Sequence, residues 1–186
     1  MSDLGVLEKV SAMELEERLR SLIRDVPDFP KPGIMFKDIT PLLADGEAFR
    51  LCILEMAKQV KGWKAQRLVA IESRGFLFAS ALAFELGFGI IPVRKPKKLP
   101  YKTTRVQYAL EYGMDSLEMH VDALNPSERV VVVDDVLATG GTALATAQLV
   151  EKSRAQVVGL LFLSELEFLK WREKLNAYRV SSLLSL

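Results

Sequence analysis

The residues best suited to chemistry lie in one stretch, Val130-Val131-Val132-Val133-Asp134-Asp135-Val136-Leu137-Ala138-Thr139-Gly140-Gly141-Thr142-Ala143. Two adjacent carboxylates follow four valines, and a Thr-Gly-Gly-Thr turn follows the carboxylates. Glycines in such a turn let the backbone approach a ligand closely and turn its N–H groups inward. A helix that starts there adds unpaired N–H groups and the positive end of its dipole, which together suit a phosphate. Paired acids beside an anion site suit a ligand bearing both a phosphate and vicinal hydroxyls, and ribose 5-phosphate is such a ligand. No lysine follows the glycines as a nucleoside-triphosphate loop requires, and there is no GxGxxG with a downstream ribose acid. By itself the pattern also fits a strand, a capped helix and two surface aspartates.

The elements that must position these residues follow from hydrophobic patterning. The valine run, bounded by Asn125-Pro126-Ser127, predicts a short strand buried on both faces with the acids at its C-terminal end, and Ala143 to Val150 predicts the helix after the turn. Leu68 to Ile71, then Glu72-Ser73-Arg74-Gly75-Phe76, then an apolar helix from Leu77 to Leu86 repeats the same strand-loop-helix plan. A guanidinium at such a strand end can hold a phosphate with two hydrogen bonds, although a surface arginine that merely starts a helix fits equally. A third strand, Ile90 to Val93, leads into the cationic run Arg94-Lys95-Pro96-Lys97-Lys98-Leu99-Pro100, which reads as a solvated loop or, beside a pyrophosphate site, as a mobile basic lid. Val106 to Tyr112 and Leu117 to Val121 alternate around Gly113 to Ser116 and predict a hairpin. A lone histidine in an alternating strand, His120, is read as structural.

Towards the C-terminus, Val157 to Leu163 predicts a strand, Glu165 to Leu175 a helix and Val180 to Leu184 a last strand. At the other end, Ser11 to Asp25 has leucines at helical spacing with Ser11 and Glu14 as a capping box, and Ala48 to Val60 is a second amphipathic helix. Between them the prolines of Pro27 to Gly33 forbid regular structure, while Phe29, Ile34, Met35, Phe36 and Ile39 are too apolar for a solvated linker. Strands alternating with helices predict an α/β fold: a central, mainly parallel sheet flanked by helices, with ligands at the carboxyl ends of its strands.

The 186 residues suffice for one domain with a sizeable core, and a net charge of +1 gives no field for nucleic acid or a membrane surface. Any anion site must be local. The N-terminal Met1-Ser2-Asp3-Leu4-Gly5 lacks a basic, then apolar, leader and no apolar run approaches a membrane span, so a cytoplasmic location is expected. A single cysteine, Cys52, excludes an intramolecular disulfide and reads as a small buried hydrophobe.

Val132 to Thr142 resembles the phosphoribosyl-pyrophosphate (PRPP) motif of the type I phosphoribosyltransferases, in the form seen in adenine phosphoribosyltransferases. Phe29 to Pro41 is similar to the segment that these proteins place over the base pocket, Glu72 to Phe76 to their pyrophosphate loop, and Leu110-Glu111-Tyr112-Gly113 to their loop glutamate. The resemblance, from about Phe29 to Thr142, implies the type I fold over a single domain, residues 1–186. Within it, 1–45 would form the N-terminal helix and a small hood over the base, and 94–121 a flexible basic lid and hairpin. It implies transfer of the 5-phosphoribosyl group from PRPP to adenine, giving AMP and pyrophosphate. Asp134 and Asp135 would hold the ribose hydroxyls, and Ala138, Thr139, Gly140, Gly141 and Thr142 the 5′-phosphate. Ser73, Arg74, Arg94, Lys95 and Lys98 would hold pyrophosphate, and Met35, Phe36, Lys37 and Val136 adenine. Arg74 and Glu111 would be catalytic, the latter moving a proton at the purine. Mg²⁺ would be bound mainly through substrate and water, with no dedicated protein metal site, and the chain would form a homodimer. Lys37, Lys97 and Val136 depart from the arginine, glycine and leucine usual in the family. Two other readings use the same fold or ligand: transfer to a different base, and a non-catalytic regulator that senses PRPP. The lack of a DNA-binding extension and the neutral charge weigh against the regulator.

Overall fold

Strands that read as unbroken apolar runs bury both faces and need helices on either side of their sheet, and that requirement shapes most of this chain. The computed structural model describes residues 11–109 and 114–186, with Ala109 described by its backbone alone. The chain divides into two compact units, Met1–Glu55 and Met56–Leu186.

In the N-terminal unit, helix α1 (Ala12–Ser21) carries the expected capping box: Glu14 N–H donates to Ser11 Oγ at 3.2 Å and Ser11 N–H to Glu14 Oε2 at 2.8 Å. The helix does not reach Asp25. Residues Arg24–Val26 form a strand, β1, antiparallel to β2 (Phe36–Asp38), and this short ladder takes the backbone groups that a longer helix would have used. The Pro-rich segment between them closes on itself through Phe29 N–H to Ile34 O at 3.2 Å and Gly33 N–H to the Asp28 carboxylate at 2.8 Å. The Phe29 and Phe36 rings meet edge to face at 5.0 Å, a favoured aromatic geometry. Helix α2 (Thr40–Ala44) precedes α3 (Gly46–Lys61), which runs across the unit boundary and buries Cys52.

The C-terminal unit follows with β3 (Arg67–Ile71), α4 (Gly75–Leu86), β4 (Gly89–Val93), β5 (Thr103–Ala109), β6 (Met114–His120), β7 (Arg129–Leu137), α5 (Gly141–Lys152), β8 (Gln156–Glu165), α6 (Arg172–Leu175) and β9 (Val180–Ser185). Five strands in the order β4-β3-β7-β8-β9 form one sheet whose neighbours are all parallel. Val69, Ile71, Val130 and Val132 share one buried cluster with Ala145 and Leu149 of α5 and with Val106 and Met119 of the β5–β6 hairpin. The alternate residues Leu68, Ala70, Val131 and Val133 are equally buried, as the two-residue period of a strand requires, and α4 packs on β3 and β7.

Two expectations are corrected in this unit. The segment after β8 is not one helix from Glu165 to Leu175. Ser164 and Glu165 stay in the ladder opposite Leu184 and Ser185, a single 3-10 turn covers Glu167–Leu169, and Lys170 at φ 48° breaks the path before α6. The hairpin begins at Thr103, and Met114 to Ser116, expected in its turn, pair with Ala109, Tyr108 and Gln107. Its tip, 110–113, lies outside the described residues. The valine strand also runs further than the valines alone, because Val136 and Leu137 continue the pairing with β8, and the acids stand near its carboxyl end. His120 is structural: its Nε2 accepts from Tyr101 N–H at 3.3 Å. Among the described residues no helix is long and apolar enough to cross a membrane.

Candidate active site

The two acids stand at the carboxyl end of central strand β7, where the crevice of a parallel sheet opens. Asp135 is buried at 3% exposure, while Asp134 remains partly accessible and accepts the Asp135 N–H at 2.9 Å. Helix α4 begins hard against them: a Cβ on Gly75 would lie 2.7 Å from Asp134 Oδ1 and 2.9 Å from Val133 O. That contact sets Arg74, the residue before the helix, beside the pair, and its Nε lies 2.8 Å from Asp135 Oδ2. No hydrogen bond is aligned on this buried oxygen. Burial, reinforced by the neighbouring Asp135 charge, pushes the Asp134 carboxyl well above its ordinary range. Burial also raises Asp135, against the opposing pull of Arg74. A buried carboxylate oxygen without an aligned donor is suited to a hydroxyl that supplies one.

From β7 the chain turns through Ala138 and Thr139 into Gly140 at φ 78°, a left-handed conformation that explains a glycine there, and α5 starts at Gly141. Gly140 also admits Trp171 and Leu175, each 3.4 Å from where a Cβ would stand. The loop encloses a depression of ≈ 80 Å³ lined by residues 136–143 with Asp134 and Phe162, a size and polarity that suit a phosphoryl group at a helix N-terminus. A second cavity of ≈ 290 Å³ adjoins it, since Asp134, Val136 and Thr142 line both. Glu72, Ser73, Arg74, Lys95, Tyr108 and Asp135 complete its polar wall.

The structure thus brings together Ser73, Arg74, Lys95, Asp134, Asp135, Val136 and the 138–142 loop. Arg94 and Lys98 do not line the cavity themselves but are tied to its Glu72: Arg94 at 3.1 Å and Lys98 at 2.6 Å to Oε1, while Lys95 N–H donates to Oε2 at 3.0 Å. Burial works to raise the Glu72 carboxyl, but Lys98, the Lys95 N–H and Arg94 outweigh it and hold the group at about 2. Met35, Phe36 and Lys37 belong to the N-terminal unit, where Lys37 Nζ bonds Asp25 at 2.7 Å and Met35 is half exposed. Glu111 lies outside the described residues. Sequence reasoning gave Glu72 no role of its own, and it missed Tyr108 and Asp115 altogether. Tyr108 carried a signal, being in phase with the buried Val106 of an alternating strand.

A phosphoryl-sized loop, a ribose-sized gap edged by two carboxylates and a cationic far wall, all at one end of a parallel sheet, define a protein that binds a phosphorylated sugar. Residues 44–168 match the family model described as the phosphoribosyl transferase domain. The adenine phosphoribosyltransferase of Syntrophotalea carbinolica is 56% identical over 168 residues, covering 90% of this chain and 98% of that protein. The crystal structure of the Thermoanaerobacter pseudethanolicus adenine phosphoribosyltransferase superposes with a TM-score of 0.90 at 52% identity, covering 91% of this chain and 99% of that one. The Saccharomyces cerevisiae adenine phosphoribosyltransferase, solved with an imino-altritol bisphosphate and adenine, gives 0.86 at 38% identity, covering 92% and 99%. The chain belongs to the phosphoribosyltransferase family, on its adenine phosphoribosyltransferase branch.

Proposed function

We propose that this chain transfers the 5-phosphoribosyl group of PRPP to adenine, releasing pyrophosphate and forming AMP. The observation that carries the reading is the pair of adjoining cavities, with the 138–142 loop at one end, Ser73, Arg74 and Lys95 at the other, and Asp134 and Asp135 between. In that order the wall matches the 5′-phosphate, the ribose hydroxyls and the pyrophosphate of a single substrate.

The chemistry follows from the placement. Loss of pyrophosphate leaves positive charge on C1′ of the ribose, as at the sugar centre of glycoside hydrolysis. Arg74 and Lys95 neutralise the leaving group, Asp135 accepts a hydrogen bond from a ribose hydroxyl on the buried oxygen that lacks an aligned donor, and the α5 N-terminus fixes the phosphate so that C1′ faces the base. Catalysis is then mainly positional and electrostatic. Mg²⁺ would be held mainly through the oxygens of PRPP and water, with no dedicated protein metal site, and when bound it would supply positive charge to the pyrophosphate. Adenine is assigned, on the resemblance, to Met35, Phe36, Lys37 and Val136, and proton movement at the purine to Glu111. A homodimer is proposed on the same basis, and the exposed Leu77 and Phe84 of α4 are apolar surface that supports it.

The test is turnover with PRPP, Mg²⁺ and each purine base in turn. Pyrophosphate release with adenine and not with hypoxanthine or guanine is expected. Equal use of hypoxanthine would reject the base, and PRPP binding without turnover would reject the enzyme.

A further inference from the structure

Two polar side chains of the β5–β6 hairpin, Tyr108 in the cavity wall and Asp115 behind it, have no part in the chemistry above. Tyr108 and Asp115 face each other across the ladder, and both reach one atom, Lys95 Nζ. The Tyr108 hydroxyl lies 3.3 Å from it, the Asp115 carboxylate forms an ion pair with it, and the same hydroxyl is 3.3 Å from Asp115 Oδ2. The other end of Lys95 is also anchored, its N–H donating to Glu72 at 3.0 Å. Among the three cations after β4 that were expected to meet pyrophosphate, Lys95 alone lines the cavity that holds Ser73, Arg74 and Asp135.

Lysine is a poor anchor unaided, because its ammonium rides on a flexible stem and partial burial disfavours its charge. The hairpin answers both problems. An ammonium has three N–H donors. Asp115 and the Tyr108 oxygen accept two, which leaves the third for the cavity. Asp115 is itself kept ionised, held below its ordinary range first by Lys95 and then by the Ser116 N–H, against the cost of burial.

We propose that Asp115 and Tyr108 are positioning residues that hold the Lys95 ammonium, charged and aimed, at the pyrophosphate end of the cavity. The proposal rests on the PRPP reading and adds two residues of the hairpin to it.

The test is a double-mutant cycle on kcat and KM for PRPP and for adenine, with the affinity for Mg²⁺-pyrophosphate measured by calorimetry. Asp115→Asn should lower kcat/KM for PRPP about tenfold, the scale of one charge-assisted hydrogen bond, and leave the KM for adenine unchanged. Tyr108→Phe keeps the ring and should lose about threefold on the same measure, the scale of a neutral hydrogen bond. Lys95→Met should lose at least as much as Asp115→Asn. Once Lys95 is Met, adding Asp115→Asn should cost nothing further, since residues that act through one another are non-additive. Asp115→Glu should restore part of the loss. Additive losses, unchanged PRPP kinetics in Lys95→Met, or tighter pyrophosphate binding in Asp115→Asn would each overturn the proposal. If Asp115→Asn unfolds, Tyr108→Phe with and without Lys95→Met supplies the same cycle. Failure of the PRPP reading itself is distinct, for it appears in the unmodified protein as an absence of adenine-dependent pyrophosphate release.

Discussion

At position 75 the missing side chain is itself the structural requirement. Gly75 is helical and needs no unusual backbone angle, so turn conformation does not account for it. Distance does: a methyl group there would sit 2.7 Å from Asp134 Oδ1 and 2.9 Å from Val133 O. The carbonyl belongs to a central strand held by ladders on both sides, so α4 must give way and carry Arg74 with it. Gly75→Ala should therefore raise the KM for PRPP by about 10-fold to 100-fold, since a displacement of about 1 Å is worth that much in a positioned site. Its melting temperature should fall as well, because overpacking costs about 1–3 kcal/mol. Steady-state kinetics and thermal unfolding check the two parts, and an unchanged KM would mean that Arg74 does not need the helix where it is.

At the scale of elements, what could be read from the sequence was what short-range pattern decides. Val130 to Val133 and Leu68 to Ile71 announce buried strands because no polar residue interrupts them, and the Thr-Gly-Gly-Thr turn announces a phosphate loop because its chemistry is contained in consecutive residues. The hairpin register, the break at Lys170 and the attachment of Arg94 and Lys98 to Glu72 depend on partners 22 or more residues away or on ladder competition, which periodicity does not record. The basic run is the clearest case. Its charges suggested a free loop, yet Arg94 pairs in an antiparallel bridge with Glu118, and Lys97 N–H donates to the Glu118 carboxylate at 3.2 Å. Lys97 also stands at φ 67°, where a side chain is strained and a glycine would fit without steric cost. Lys97→Gly should stabilise the protein by about 0.5–1 kcal/mol, the left-handed strain relieved less the entropy of glycine. Urea unfolding measures it, and a loss of stability would show that the lysine side chain holds the run in place.

For the molecule as a whole, a net charge of +1 conceals a site whose charges are already matched. Arg74 faces Asp135, Lys95 faces Asp115, Arg94 and Lys98 face Glu72, and Arg105 faces Glu118. The free site therefore presents little bare charge, and a polyanionic substrate gains by displacing or joining these pairs in an order set by their strength. The acids of the last three sets are held below their ordinary range, Glu72 furthest, at about 2. The sign of the resulting pH dependence follows. A carboxyl that is more acidic in the folded chain than in the unfolded one stabilises the fold fully above its ordinary value, here 4.5, and loses that contribution as the pH falls towards about 2. Stability should then be level with respect to Glu72 from neutral pH down to about 5 and decline below it. Glu72→Gln cannot ionise, so it should be less stable than the unmodified protein at pH 7, and the difference should shrink steadily as both are taken from pH 5 to pH 2.5. Urea midpoints at four or five pH values measure the gap, and a gap that stayed constant with pH would show that the Glu72 cluster contributes nothing through its charge.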